Sequence, residues 1–141
     1  MDKIISCLIG VIIAFGTILG NPSDVYSRKE IDLMARVVMN EGGASPLDEK
    51  QLIAETILNR VDSDLFPNTI EDVIYQPCQF STGYYREPDA DCYLAVEYAI
   101  HYRAFPRDML YFRNDYASYG YFYTQIPGSR LVFSTLTDYN N

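Results

Sequence analysis

Tryptophan is absent from this sequence, histidine occurs once and cysteine three times. A lone His101 argues against a zinc amidase or peptidase, because such centres usually set two or more imidazoles on one metal; no metal and no cofactor is expected. Basic residues are also scarce, 11 Lys and Arg against 19 Asp and Glu, for a formal net charge of −8. Binding a polyanion through its backbone needs clustered cations to displace counterions, so nucleic acid is excluded as a partner. Internal repeats and low-complexity blocks are missing too, which removes solenoids and linker-rich arrays.

Long apolar runs are absent except at the start, where residues 4–19 follow a single Lys3 and are interrupted by Ser6, Cys7, Gly10 and Gly16. The run is shorter than the ~20 residues of a typical membrane-spanning helix, and it reads as the core of a signal peptide over residues 1–20, cut near Gly16 or Gly20. An uncleaved anchor, tethering the protein to a membrane through residues 4–19, is the rival reading. Either way the chain is exported, to the periplasm or beyond the cell. Residues 21–141 are about the size of one domain and are expected to act as a monomer.

The chain is 48% hydrophobic and 21% charged, which suits a foldable globular domain. Tyrosine is abundant at 13 residues; its ring stacks on sugar faces while its hydroxyl hydrogen-bonds, although packing a small domain is an equal use for it. Beyond the leader, Cys78 and Cys92 make a pair compatible with one disulfide in an oxidising compartment.

Helix signals dominate the first half. Ser27-Arg28-Lys29-Glu30 has capping-box spacing, and Ile31, Met34, Val37, Val38 and Glu41 follow on a helical period. The helix is expected to stop at Gly42-Gly43 through left-handed glycine geometry. Ser45-Pro46 starts a second helix, reaching about Val61, with serine as cap. Its apolar face is Ile53, Ile57, Leu58 and Val61, while Leu52, Glu55 and Asn59 turn polar groups another way. Thr69 caps a short helix through Tyr75. An irregular loop follows over residues 78–91, then a fourth helix closed by Phe105-Pro106. Three aromatic segments, 109–112, 121–123 and 131–133, read as short strands. The expected fold is α+β, a helical N-terminal part followed by a small antiparallel β element.

Glu41 ends an apolar helical stripe and is followed at once by two glycines. A carboxyl there sits at the rim of the core, where partial desolvation favours the protonated form that a general acid needs. By position alone, an ordinary solvated glutamate near a helix end is the better explanation. The surrounding text decides. Ile31-Asp-Leu-Met-Ala-Arg-Val-Val-Met-Asn-Glu41-Gly-Gly-Ala-Ser-Pro46, then Ala54-Glu-Thr-Ile-Leu-Asn-Arg-Val61, then Val73-Ile-Tyr-Gln-Pro-Cys-Gln-Phe-Ser81 resembles the core of the SleB-type cell-wall hydrolases, with the gaps fitting without insertion. The resemblance covers about residues 28–133.

That resemblance implies a small lysozyme-like domain cutting the peptidoglycan glycan strand between N-acetylmuramic acid and N-acetylglucosamine, with Glu41 as the catalytic acid. In the lytic transglycosylase version the muramyl C6 hydroxyl is the attacking group, so one protein carboxylate suffices, unlike the two of most glycosidases. Glu55 and Asn59, on one face of the second helix, are candidate substrate-binding residues; Glu55 is equally suited to orienting Glu41 or to pairing with Arg36 or Arg60. Gln79 and Ser81 are candidate hydrogen-bonding groups, with Phe80 as a wall or as a core anchor for its loop. Tyr111, Phe112 and Asn114 match an aromatic-then-Asn segment that lines the groove. Ser45 stands where the family often has a second acidic residue, Cys78 replaces a loop glycine and supports a disulfide to Cys92, and Arg130 precedes Phe133 where a His is common.

Two other classes compete. A cell-wall Cys-His peptidase would use Cys92 or Cys78 with His101, yet Cys92 and His101 are nine residues apart on one expected helix and point about 180° from each other. A non-catalytic peptidoglycan-binding module would keep the groove without needing Glu41. Bacterial and phage endolysin origins are both compatible with the sequence.

Overall fold

The computed structural model describes residues 25–115 and 119–141. The leader expected over residues 1–20 lies outside the described residues. Helices come first: α1 (Arg28–Gly42), α2 (Leu47–Asp62), α3 (Ile70–Ile74) and α4 (Ala90–His101). Strands β1 (Met109–Asn114), β2 (Tyr121–Thr124) and β3 (Leu131–Thr135) follow. They pair antiparallel in the order β1-β3-β2, so the last strand is central and wholly buried. Each strand runs one or two residues beyond the aromatic segment that announced it.

The capping box forms as expected. The Glu30 N–H donates to the Ser27 hydroxyl at 3.3 Å, and the Ser27 N–H donates to the Glu30 carboxylate at 2.8 Å. The end of α1 differs from expectation: Gly43 is right-handed, with φ −56°. The glycines are needed for closeness instead. A Cβ on Gly42 would lie 2.6 Å from Ile53 Cδ1, and one on Gly43 would lie 2.6 Å from an Arg86 guanidinium nitrogen. Their missing side chains let α2 and the 82–89 loop press against the end of α1.

Ser45 does not cap α2, either. Pro46 takes the N-cap position without a side-chain hydrogen bond, and the Ser45 hydroxyl donates to the Glu49 carboxylate. Thr69 caps α3 as expected, and Asp89 caps α4 by accepting from the Cys92 N–H at 3.0 Å. Asp89 also pairs with the buried Lys50 ammonium at 3.2 Å, tying the start of α4 to α2.

Helix α2 runs through the middle of the molecule. Leu52, Ile53, Ile57 and Leu58 pack with Met34 and Val38 of α1, Ile74 of α3, Val96 of α4 and Phe133 of β3. Its polar stripe is buried as well, and its partner is the chain's own backbone. Glu55 accepts from the N–H groups of Ala104 and Phe105 at 2.8 and 2.9 Å, and from the Gln51 amide at 2.9 Å. The Asn59 amide donates to the carbonyls of Pro106 and Met109 at 2.9 and 3.0 Å, and Arg60 Nε donates to that of Leu110 at 2.7 Å. Much of residues 104–110 lies outside any ladder, so side chains of α2 supply partners for its buried and part-buried backbone groups.

Glu55→Ala should therefore lower stability by about 3 kcal/mol, because two part-buried N–H groups lose their acceptor and a cavity opens where a fully buried side chain stood. Urea unfolding checks this; a midpoint within error of the parent would show that the anchor carries no weight.

Candidate active site

Asn40 and Glu41, the last polar residues of α1, grip one loop. The Asn40 amide donates to the carbonyls of Ser81 and Gly83 at 2.7 and 2.9 Å, while Glu41 Oε1 accepts from the Ser81 N–H at 2.6 Å. That bond fixes the orientation of the carboxyl through Oε1. Glu41 is half-buried and lines two adjoining grooves. The larger, about 580 Å³, continues past Gln79, Tyr111 and Asn114. The smaller, about 370 Å³, runs between Ser45, Glu49 and the 127–131 segment. Glu41, Asn114 and Leu131 belong to both. The carboxyl thus stands where the two halves of one cleft meet.

Arg60 supports the larger half. Its Nη1 donates to Gln79 Oε1 at 2.9 Å, and its guanidinium carbon lies 4.8, 4.9 and 5.6 Å from the ring centroids of Phe66, Phe80 and Tyr111. Cations within about 6 Å of aromatic faces are attracted by the ring quadrupole. Burial pushes the Arg60 pKa down to about 10, still far enough above neutral pH to keep the cation. This residue received no site role from the sequence, although it sits in the Ile57-Leu-Asn-Arg-Val61 motif. The signal was an arginine on a helix whose other positions are committed to the core.

The candidate residues separate into three groups. Gln79, Tyr111 and Asn114 line the groove beside Glu41. Phe80 and Ser81 stand behind it: Phe80 packs on the core 6.0 Å from Phe112, the loop-anchor alternative, and Ser81 gives its backbone to Asn40 and Glu41. Glu55 and Asn59 require correction as substrate-binding residues. They are 0% and 1% exposed, line neither half of the cleft, and spend their polar atoms on the 103–109 segment, where Asn59 also accepts from Arg103 at 2.8 Å. Neither Arg36 nor Arg60 is the partner of Glu55. Where Ser45 stands in place of an acidic residue, Glu49 brings a carboxylate to the cleft wall and accepts from the Ser45 hydroxyl. Arg130 pairs with Asp115, beside the smaller half.

The disulfide is also corrected. Cys78 and Cys92 are free thiols, Cys78 exposed on the rim of the larger groove and Cys92 buried in the core under α4. Burial pushes the Cys92 thiol up to about 11. A nucleophilic cysteine needs the opposite shift, which removes Cys92 as the nucleophile of a Cys-His peptidase.

With helices on one side of the cleft, a small sheet on the other and a carboxyl at the junction, the molecule is an α+β lysozyme-like domain. Residues 44–132 match the Cell Wall Hydrolase family. The structure resembles the catalytic domain of the Bacillus cereus SleB protein, with a TM-score of 0.66 and 30% identity, covering 78% of this chain and 92% of that one. It is equally similar to the catalytic domain of the germination-specific lytic transglycosylase SleB from Bacillus anthracis, covering 97% of it. The spore cortex-lytic enzymes of Oceanobacillus iheyensis and Bacillus subtilis are each 33% identical, over 78% and 63% of this chain. The chain belongs to the cell wall hydrolase family, and its fold is that of the SleB catalytic domain. It spans 42% and 30% of the length of those two curated relatives.

The free-thiol arrangement makes a prediction. Iodoacetamide near pH 8 should alkylate Cys78 readily in the native protein and leave Cys92 untouched until denaturant is added, since the thiolate is the reacting species. Mass analysis of the labelled chain checks it; a bridged pair, or equal labelling, would contradict the assignment.

Proposed function

We propose that this protein is a peptidoglycan lytic transglycosylase, cutting the glycan strand between N-acetylmuramic acid and N-acetylglucosamine with Glu41 as its single catalytic carboxyl. The observation that carries this reading is the place of Glu41: half-buried, one oxygen fixed by the Ser81 N–H, at the meeting point of two grooves that also share Asn114. A glycan strand laid along both halves puts a glycosidic oxygen beside that carboxyl. Membership of the cell wall hydrolase family and the likeness to SleB catalytic domains support the same substrate.

In its protonated form Glu41 donates a proton to the glycosidic oxygen as the C1–O bond breaks. The resulting carboxylate then accepts the proton of the muramyl C6 hydroxyl, whose oxygen closes on C1 and forms the 1,6-anhydro ring. The nucleophile belongs to the substrate, so the chemistry asks for one acid that later serves as base. In this account Gln79 and Asn114 hydrogen-bond sugar hydroxyl or acetamido groups, and Tyr111 offers a ring face against which a pyranose packs. Such a substrate lies outside the cytoplasm, in keeping with export.

Glu41→Gln should leave the fold intact and reduce cleavage of purified sacculi at least about 100-fold, because the amide keeps the Ser81 hydrogen bond but has no acidic proton to give. Turbidity loss and muropeptide analysis check this. Cleavage at the parent rate would remove Glu41 from the mechanism.

A further inference from the structure

Glu49 was not among the residues picked out by the sequence, yet it is the second carboxylate of the cleft. It lies in the first turn of α2, is 1% exposed and forms part of the wall of the smaller groove, which it shares with Glu41, Asn114 and the 127–131 segment. One oxygen accepts from the Ser45 hydroxyl. The other, Oε2, is buried and has no hydrogen-bond partner among the described residues.

Two neighbouring cations are engaged elsewhere. Lys50, the next residue, gives its ammonium to Asp89, and Arg130, across the smaller groove, gives its guanidinium to Asp115. A buried carboxylate oxygen without a donor is costly, and an ionised carboxylate can only accept. Glu49 belongs to the wall of the smaller groove, and a sugar seated there brings hydroxyl and acetamido donors to this side chain.

We infer that Glu49 is a substrate-recognition residue, whose Oε2 accepts a hydrogen bond from a hydroxyl or acetamido N–H of the sugar in the smaller half of the cleft. Ser45 fixes the carboxylate in the orientation that presents this oxygen. No proton changes hands, so Glu49 acts on binding and leaves the chemical step to Glu41. This role presupposes the glycan cleft proposed above.

Glu49→Gln tests it closely, since the amide keeps an oxygen for Ser45 and turns the free acceptor into a donor. The probe is a soluble glycan of two N-acetylglucosamine–N-acetylmuramic acid repeats. Steady-state cleavage is read in the parent background, and calorimetric binding in the Glu41→Gln background. We expect KM and the dissociation constant to rise together by about 10-fold or more, the usual weight of a hydrogen bond to a charged group, with kcat within about twofold. Ser45→Ala should move both in the same direction by less. Unchanged KM and affinity in a folded Glu49→Gln protein would overturn the inference, as would a lower melting temperature with no change in KM. Should Glu49→Gln fail to fold, unchanged binding in Ser45→Ala overturns it instead. If Glu41→Gln still cleaves, the transglycosylase mechanism falls while the Glu49 binding comparison stands. A parent protein that neither binds nor cleaves the fragment overturns both.

Discussion

The cleft exists because one helix spends its buried polar side chains on the chain's own backbone. Glu55, Asn59 and Arg60 of α2 hold residues 104–110 by five hydrogen bonds to main-chain atoms, and the strand that continues from this segment is β1. Tyr111 and Asn114, both on β1, therefore reach the groove from a strand whose start is anchored by α2. Burying a glutamate, an asparagine and an arginine in a domain of this size is tolerable only where each polar atom finds a partner. Here the partners are the backbone groups that would otherwise be orphaned, so one set of bonds solves both problems.

The opposite wall is built on the same logic. Asn40 and Glu41 sit at the end of α1, and their side chains fix the Ser81 and Gly83 backbone. The proposed catalytic carboxyl thus holds the loop beside it, and the Ser81 N–H of that loop in turn fixes one of its oxygens. Preorganisation of this kind removes motion that would otherwise have to be frozen when substrate binds. The two glycines that follow let α2 and the 82–89 loop close on the end of α1, so the short step from Glu41 to Ser45 brings both carboxylates of the cleft to one wall.

Much of this was legible in the residues. The capping box at Ser27, the apolar stripe of α1, the Thr69 cap and the three aromatic strand segments all appear where local signals put them, because each depends on neighbours in sequence. The errors share a cause. Glu55 and Asn59 were read as facing substrate since a polar stripe on an amphipathic helix normally faces solvent or a ligand, and nothing local reveals that residues almost fifty positions later return to cover it. Cys78 and Cys92 were paired because the chain reads as exported and both cysteines follow its leader, while burial assigns one to the core and the other to the groove rim. Gly42 and Gly43 were assigned a turn geometry when their use is close approach. Glu49 was missed because a glutamate in a first helical turn is already explained by the helix dipole.

The account turns on a substrate hydroxyl, and not water, closing the reaction at C1. Digestion of sacculi in water enriched in oxygen-18, followed by mass analysis of the released muropeptides, tests this directly. Anhydro-muramyl ends, lighter than hydrolysed ends by one water and free of label, are the predicted product. Reducing ends carrying the heavy oxygen would contradict the account.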